Sequence, residues 1–160
     1  MSTAPLDHQG DEQAEVDRQY VTLTVADQLC GVPVLGVRDI LSPQAITRIP
    51  LAPSEVAGSL NLRGRIVTAI DLRRRLRLPP AAAGSASMSV VTEQGGELYA
   101  LLVDQVSEVM TLRPGAIEPN PPTLPAIWAA FSAGICRLDT RLLVILNVER
   151  LLAVRPRAPG

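Results

Sequence analysis

Lysine is absent from this chain: all 15 basic residues are arginine. No amine is therefore available for a Schiff base, nor for the phosphate-binding lysine of a P-loop. Histidine occurs once, at His8, inside a polar N-terminal stretch without apolar periodicity, so a Ser–His or Cys–His nucleophile pair lacks its base in any structured part of the chain. No glycine-rich phosphate loop of either standard spacing occurs. Aromatic residues are limited to Tyr20, Tyr99, Trp128 and Phe131, too few to interleave with basic residues as a stacking platform for nucleic acid. No apolar run reaches the roughly 18 residues of a bilayer span. The first 17 residues lack the basic and apolar regions of a signal peptide, so a cytoplasmic protein with no direct membrane insertion is expected. Cys30 and Cys136 are far apart and have no metal-ligand spacing; two buried, reduced thiols are the preferred reading over a disulfide. No cofactor or metal is implied. What these absences leave open is carboxylate-only chemistry on Asp39, Asp71, Asp104 or Glu108.

The residues that are present describe a β protein. The net charge of −1 offers no field for polyanions, and a hydrophobic fraction of 47% suffices for a core. Residues 1–17 read as a tail. Tyr20–Val25 alternates as a strand, and Leu29–Val34 is a second strand interrupted by Pro33. Val34, Val37, Ile40 and Leu41 have helical spacing, which predicts a short helix or turn over 35–41. Ala45–Ile49 reads as a short strand. The polar turn Asn61-Leu62-Arg63-Gly64 precedes a strand over Ile66–Ile70, and Asp71 stands as N-cap of a short helix bearing Arg73, Arg74, Arg75 and Arg77. A small-residue connector, Pro79–Ser87, marks the midpoint. Strands follow at Met88–Glu93 and Glu97–Val103, joined by Gly95-Gly96. Then come a second short amphipathic pattern (Val106, Val109, Met110) and a loop with four prolines over 119–125. Strands at Gly134–Leu138 and Arg141–Asn147, a helical turn at Val148–Leu152 and a tail at 155–160 complete the chain.

The two halves repeat. Arg65–Leu76 aligns without a gap on Arg141–Leu152: an arginine, five strand residues, an Asp or Asn cap and an apolar helical turn. Gly58 matches Gly134; Val37–Leu41 matches Val106–Met110; the pair Ala45-Ile46 matches Ala116-Ile117. These matches in one order indicate two related β units of about 65 residues, a size that closes into barrels to avoid bare edges. The expected organisation is one domain over 18–153, built from units near 18–80 and 88–153 with possible exchange of strands between them. The copies differ at the turn, Asn61-Leu62-Arg63-Gly64 against Arg137-Leu138-Asp139-Thr140, and recognition is placed on that asymmetry.

Bland readings weigh against several clusters. Asp39 and Arg63 could face one another, but on residue types alone two solvated charges are preferred. The arginines at 73–77, with Arg65, could bind nucleic acid, although the solvated face of a helix is the simpler account. Trp128 and Phe131 default to core. Asp71 has a capping role, and Asp39 and Glu108 are repeats of each other rather than complementary, which speaks against paired-carboxylate catalysis.

Taken in order, Val32-Pro33-Val34, Val37-Arg38-Asp39-Ile40, Ile46-Thr47-Arg48-Ile49-Pro50, Gly58-Ser-Leu-Asn-Leu-Arg-Gly64, Ile70-Asp71-Leu72-Arg73, Leu102-Val103-Asp104, Val106-Ser107-Glu108-Val109, Ile117-Glu118-Pro119 and Leu146–Leu152 resemble the CheW family of chemotaxis coupling proteins over about residues 18–153. The resemblance implies two five-stranded, SH3-like β-barrels packed together. It further implies a non-enzymatic adaptor between the cytoplasmic hairpin tips of methyl-accepting chemoreceptors and the regulatory domain of a CheA-type histidine kinase. By the same resemblance the receptor-facing groove involves Val37, Asp39 and Arg63 with Gly58, Asn61, Leu62 and Gly64, and Asp39 and Arg63 are expected to sit together. Kinase contacts fall in the second half, at Pro122, Thr123 and Leu124. The chain departs from the family pattern at Cys30-Gly31-Val32, where an aromatic is usual, at Asp39, where Glu is usual, and in the extra prolines of 119–125.

Overall fold

The computed structural model describes residues 16–82 and 84–153. Strands dominate it: β1 (Arg18–Val25), β2 (Gln28–Pro33), β3 (Val37–Leu41), β4 (Val56–Leu62), β5 (Arg65–Asp71), β6 (Met88–Gln94), β7 (Glu97–Val103), β8 (Gln105–Leu112), β9 (Ile117–Glu118), β10 (Ser132–Arg137) and β11 (Leu142–Leu146). Three short α-helices accompany them, α1 (Leu72–Arg75), α2 (Ala126–Ala129) and α3 (Val148–Leu152), with 3₁₀ turns at Val34–Gly36 and Pro114–Ala116. The strands form two sheets, ordered β3-β6-β7-β5-β4 and β8-β1-β2-β11-β10-β9. The molecule is thus mainly β, two SH3-like barrels packed together. One sheet is contiguous in sequence from Val37 to Val103; the other joins β1 and β2 from the N-terminal part to β8–β11 from the C-terminal part.

The repeat is visible in three dimensions. β5 runs parallel to β7 and β11 parallel to β2, while β4 and β10 pair antiparallel with β5 and β11, with a register shift at Gly58 and Gly134 respectively. Asp71 accepts from Arg74 N–H and Asn147 from Arg150 N–H, each satisfying a free donor of a first helical turn. Arg74 donates to Ser54 C=O at 3.3 Å, and Arg150 to Ala130 C=O at the same distance. At Gly58 (φ +150°) a Cβ would lie 2.2 Å from Thr47 O; at Gly134 (φ +143°) it would lie 2.8 Å from Ile117 Cγ2. Both glycines let a crossing segment approach the backbone closely.

Three apolar clusters follow from the pleat. Leu60, Val67, Ala69, Val91, Leu98, Ala100 and Leu102 fill the contiguous barrel. Tyr20, Leu29, Leu112, Cys136, Leu143 and Ile145 fill the other. The largest lies between the two sheets, where Leu23, Val32, Ile70, Leu72, Leu76, Leu101, Val103, Trp128, Ile135, Leu146 and Leu151 meet. Successive strand residues face opposite sides, so Ala69 enters a barrel while Ile70 enters the interface. Cys30 belongs to the central cluster and Cys136 to a barrel interior; both are free and buried, and burial raises the pKa of each thiol.

Three local expectations are corrected. The segment over 35–41 is a 3₁₀ turn at Val34–Gly36 followed by strand β3, not a helix, and the pattern Val106, Val109, Met110 is strand β8. The cause is the same in both copies. A β-bulge between Val37 and Asp39, and another where Val106 and Val109 face Leu23 and Val21, inserts an extra residue, so apolar positions recur at three-residue steps that mimic a helix. Ala45–Ile49 contributes only a single bridge, Thr47 to Ser59, and no strand, because Pro43 and Pro50 flank it and cannot donate to a longer ladder. Of the expected tails, residues 1–15, with His8, and 154–160 lie outside the described residues.

Candidate functional site

The turn between β4 and β5 is a two-residue loop closed by the Leu62–Arg65 pair. Arg63 (φ +52°) and Gly64 (φ +86°) both take positive φ, the pattern of a type I′ turn, whose twist matches that of the strands it joins. Asn61 holds it: its Oδ1 accepts from Gly64 N–H at 2.8 Å. The equivalent turn at Asp139-Thr140 contains no positive φ. The loop geometry carries the Arg63 guanidinium to Asp39 on β3, with Nη2 at 3.3 Å from Asp39 Oδ2.

The pair is asymmetric in its exposure, 80% for the Arg63 side chain and 25% for Asp39. Asp39 Oδ1 accepts from Ile40 N–H at 2.8 Å, whereas Oδ2 is out of contact with water and receives no directed hydrogen bond. Arg63 is therefore close enough to Asp39 for Coulombic attraction but is not aligned to donate. The pair tops a shallow depression of about 340 Å³ lined by Arg38, Asp39, Leu62, Arg63, Arg65, Glu93 and Leu98. Arg38 forms a second ion pair there, 3.1 Å from Glu93.

Of the residues expected at a receptor groove, Asp39, Leu62 and Arg63 come together in this depression. Asn61 and Gly64 are exposed and shape the turn. Val37 is half-buried against the central cluster, and Gly58 is buried beneath Thr47. Sequence reasoning missed Arg38, Arg65, Glu93 and Leu98. Arg65 could have been found from the hairpin, since a two-residue turn puts it opposite Leu62; Glu93 and Leu98 arrive through the β6–β7 hairpin, whose neighbour β3 carries the spacing of a helix or turn.

In the proline-rich loop, Pro122 and Thr123 are exposed within a turn closed by Leu124 N–H donating to Pro121 C=O at 3.0 Å. Leu124 itself is buried in the central cluster beside Trp128, so it anchors that loop from beneath.

The arginines of α1 are committed internally. Arg73 donates to both carboxylate oxygens of Asp104, at 2.9 and 2.7 Å, and to Pro79 C=O. That guanidinium holds the Asp104 carboxyl below its ordinary range. Arg75 donates to the carbonyls of Leu151, Arg150 and Ala153 at the end of α3, and stacks 4.7 Å from the Phe131 ring centroid. Arg74 pairs with Asp71 at 3.6 Å. Arg73 and Arg75 strap one half of the chain to the other, Arg74 is held within the first half, and the nucleic-acid reading has no support from them. The carboxylates considered for catalysis are not brought into a facing pair: Asp39, Asp71 and Asp104 each have a separate arginine.

Comparison with known proteins agrees with this geometry. The model of the CheW-like domain matches residues 19–155. A probable chemotaxis protein CheW of Rhizobium etli is 30% identical over 137 residues, 86% of this chain and 88% of that protein. The chemotaxis protein CheW of Helicobacter pylori is 28% identical over 141 residues, 88% and 85% of the respective chains. The crystal structure of scaffolding protein TtCheW from Thermoanaerobacter tengcongensis superposes with a TM-score of 0.78 at 30% identity, covering 89% of this chain and 97% of that one. With the doubled barrel, the repeated glycine crossings and the Asn-Leu-Arg-Gly turn in place, the chain belongs to the CheW-like domain family.

Proposed function

We propose that this protein is a non-enzymatic adaptor that couples chemoreceptors to a CheA-type histidine kinase in a chemosensory array. Membership of the CheW-like family supports the reading, and its relatives are chemotaxis and scaffolding proteins by name. The observation that carries the site assignment is the exposed Arg63 held over Asp39 by a hairpin turn that has no counterpart of the same geometry in the second copy. The depression around that pair, with Leu62 and Leu98, takes the cytoplasmic hairpin tip of a receptor. The exposed Pro122 and Thr123, braced by buried Leu124, take the kinase regulatory domain. Among the described residues no helix is long and apolar enough to cross a membrane.

The test is capture of the two partners separately and together. The immobilised chain retains the cognate kinase regulatory domain and the receptor cytoplasmic hairpin, and both at once. Failure to retain either at tens of micromolar, roughly the weak end of transient signalling contacts, contradicts the proposal.

A further inference from the structure

We infer that Arg65 is a specificity-determining residue of the Asp39–Arg63 depression, where it takes an acidic side chain of the docked receptor hairpin. The inference rests on the adaptor reading above and deepens it. Three arginines and two carboxylates line the depression, Arg38, Arg63 and Arg65 with Asp39 and Glu93, so it carries one uncompensated positive charge. Arg38 is matched to Glu93 and Arg63 to Asp39. Arg65 is exposed, and among the described residues it has neither an ion pair nor a side-chain hydrogen bond. Every arginine of α1 between Arg73 and Arg75, by contrast, is consumed by internal partners.

Position reinforces charge. Arg65 follows the rigid Arg63-Gly64 turn directly and pairs across it with Leu62, so its backbone is fixed by the β4–β5 ladder rather than by a mobile loop. Arg63 beside it is 80% exposed and makes no directed hydrogen bond to Asp39, so it can turn part of its guanidinium to the same incoming carboxylate without breaking one. Leu62, paired with Arg65 across the turn and half-buried in the same depression, gives the docked helix an apolar contact. The occupant this chemistry fits is a helix that presents a carboxylate next to apolar residues. Two guanidiniums and an apolar side chain discriminate against a helix with a basic residue at that point, since like charges in contact oppose docking.

The test is a titration of the full chain with the cognate receptor's cytoplasmic hairpin, at low and high salt, with the kinase regulatory domain as a parallel partner. Arg65→Ala weakens receptor binding about threefold to fivefold, the scale of an exposed pair, and Arg65→Glu by about tenfold or more at low salt. Both retain kinase binding, and the loss shrinks as salt rises. In a panel of single Glu-to-Lys and Asp-to-Lys changes at the hairpin tip, one restores binding to Arg65→Glu. Receptor binding by Arg65→Glu that equals the wild type, or loss of kinase binding in step with receptor binding, overturns the inference while leaving the adaptor reading standing. If the unaltered chain binds no receptor hairpin at all, the adaptor reading fails and the inference falls with it.

Discussion

Among the described residues Arg73 and Asp104 form the shortest ion pair, bidentate and with only 21% and 27% of their side-chain surfaces exposed. Asp104 also accepts from Ala26 N–H at 2.7 Å, so one carboxylate ties α1 and the β7–β8 turn to the β1–β2 turn. Asp104→Asn is expected to cost about 1–2 kcal/mol at neutral pH, the lower range for a charge-assisted pair that retains some water. The direction of the pH dependence follows from the lowered carboxyl. The unfolded chain binds that proton more readily than the folded one, so the contribution is complete above the ordinary carboxylate value of 3.8 and is lost as pH falls through the lower folded value. Denaturant titrations of both proteins from neutral pH into acid check this: their stabilities converge in acid. Thr92 makes the opposite case. Its hydroxyl is buried without a partner, so Thr92→Val, which keeps the shape, leaves stability unchanged or raises it by up to about 1 kcal/mol in thermal unfolding.

At the scale of elements, the two glycine crossings carry the repeat. Gly58→Ala places a methyl against the Thr47 carbonyl in a backbone conformation that L-residues avoid, and Gly134→Ala does the same against Ile117. Each is expected to lower stability by about 2 kcal/mol or more, read from denaturant midpoints. Gly64→Ala meets no atom within 4 Å and costs only the positive φ, about 1 kcal/mol. These glycines, the Asp71 and Asn147 caps and the strand–cap–helix repeat were legible in the sequence because each is a local signal. Strands β3 and β8 were not: a bulge in each shifts the period of two, and the surviving spacing is that of a helix. The partnership of Asp39 with Arg63 followed from resemblance alone, because it depends on where β3 lies once β6 and β7 have joined the sheet. Leu124 shows the converse. Its neighbours made it look like part of an exposed loop, and only the packing beside Trp128 reveals an anchor.

Across the whole molecule, strands from both ends of the chain form one sheet, and the largest apolar cluster lies between the sheets rather than in either barrel. Arg75 closes the seam by donating to three carbonyls at the end of α3. The two barrels are therefore expected to unfold in a single transition. Trp128, the sole tryptophan, sits in the shared cluster, so its fluorescence and the far-ultraviolet signal of the strands should change at the same denaturant concentration. Separate midpoints would show that the barrels are independent. A rigid seam also gives the adaptor two faces fixed relative to each other, with the Arg63 turn on the contiguous barrel and the proline-rich loop on the other. The most direct test of that account is to compare the affinities of wild type and Arg63→Ala for the receptor hairpin and for the kinase regulatory domain. The account predicts a loss on the order of tenfold for the receptor, as for a central interface arginine, with kinase affinity and thermal midpoint unchanged. Equal losses for both partners, or none for the receptor, would contradict it.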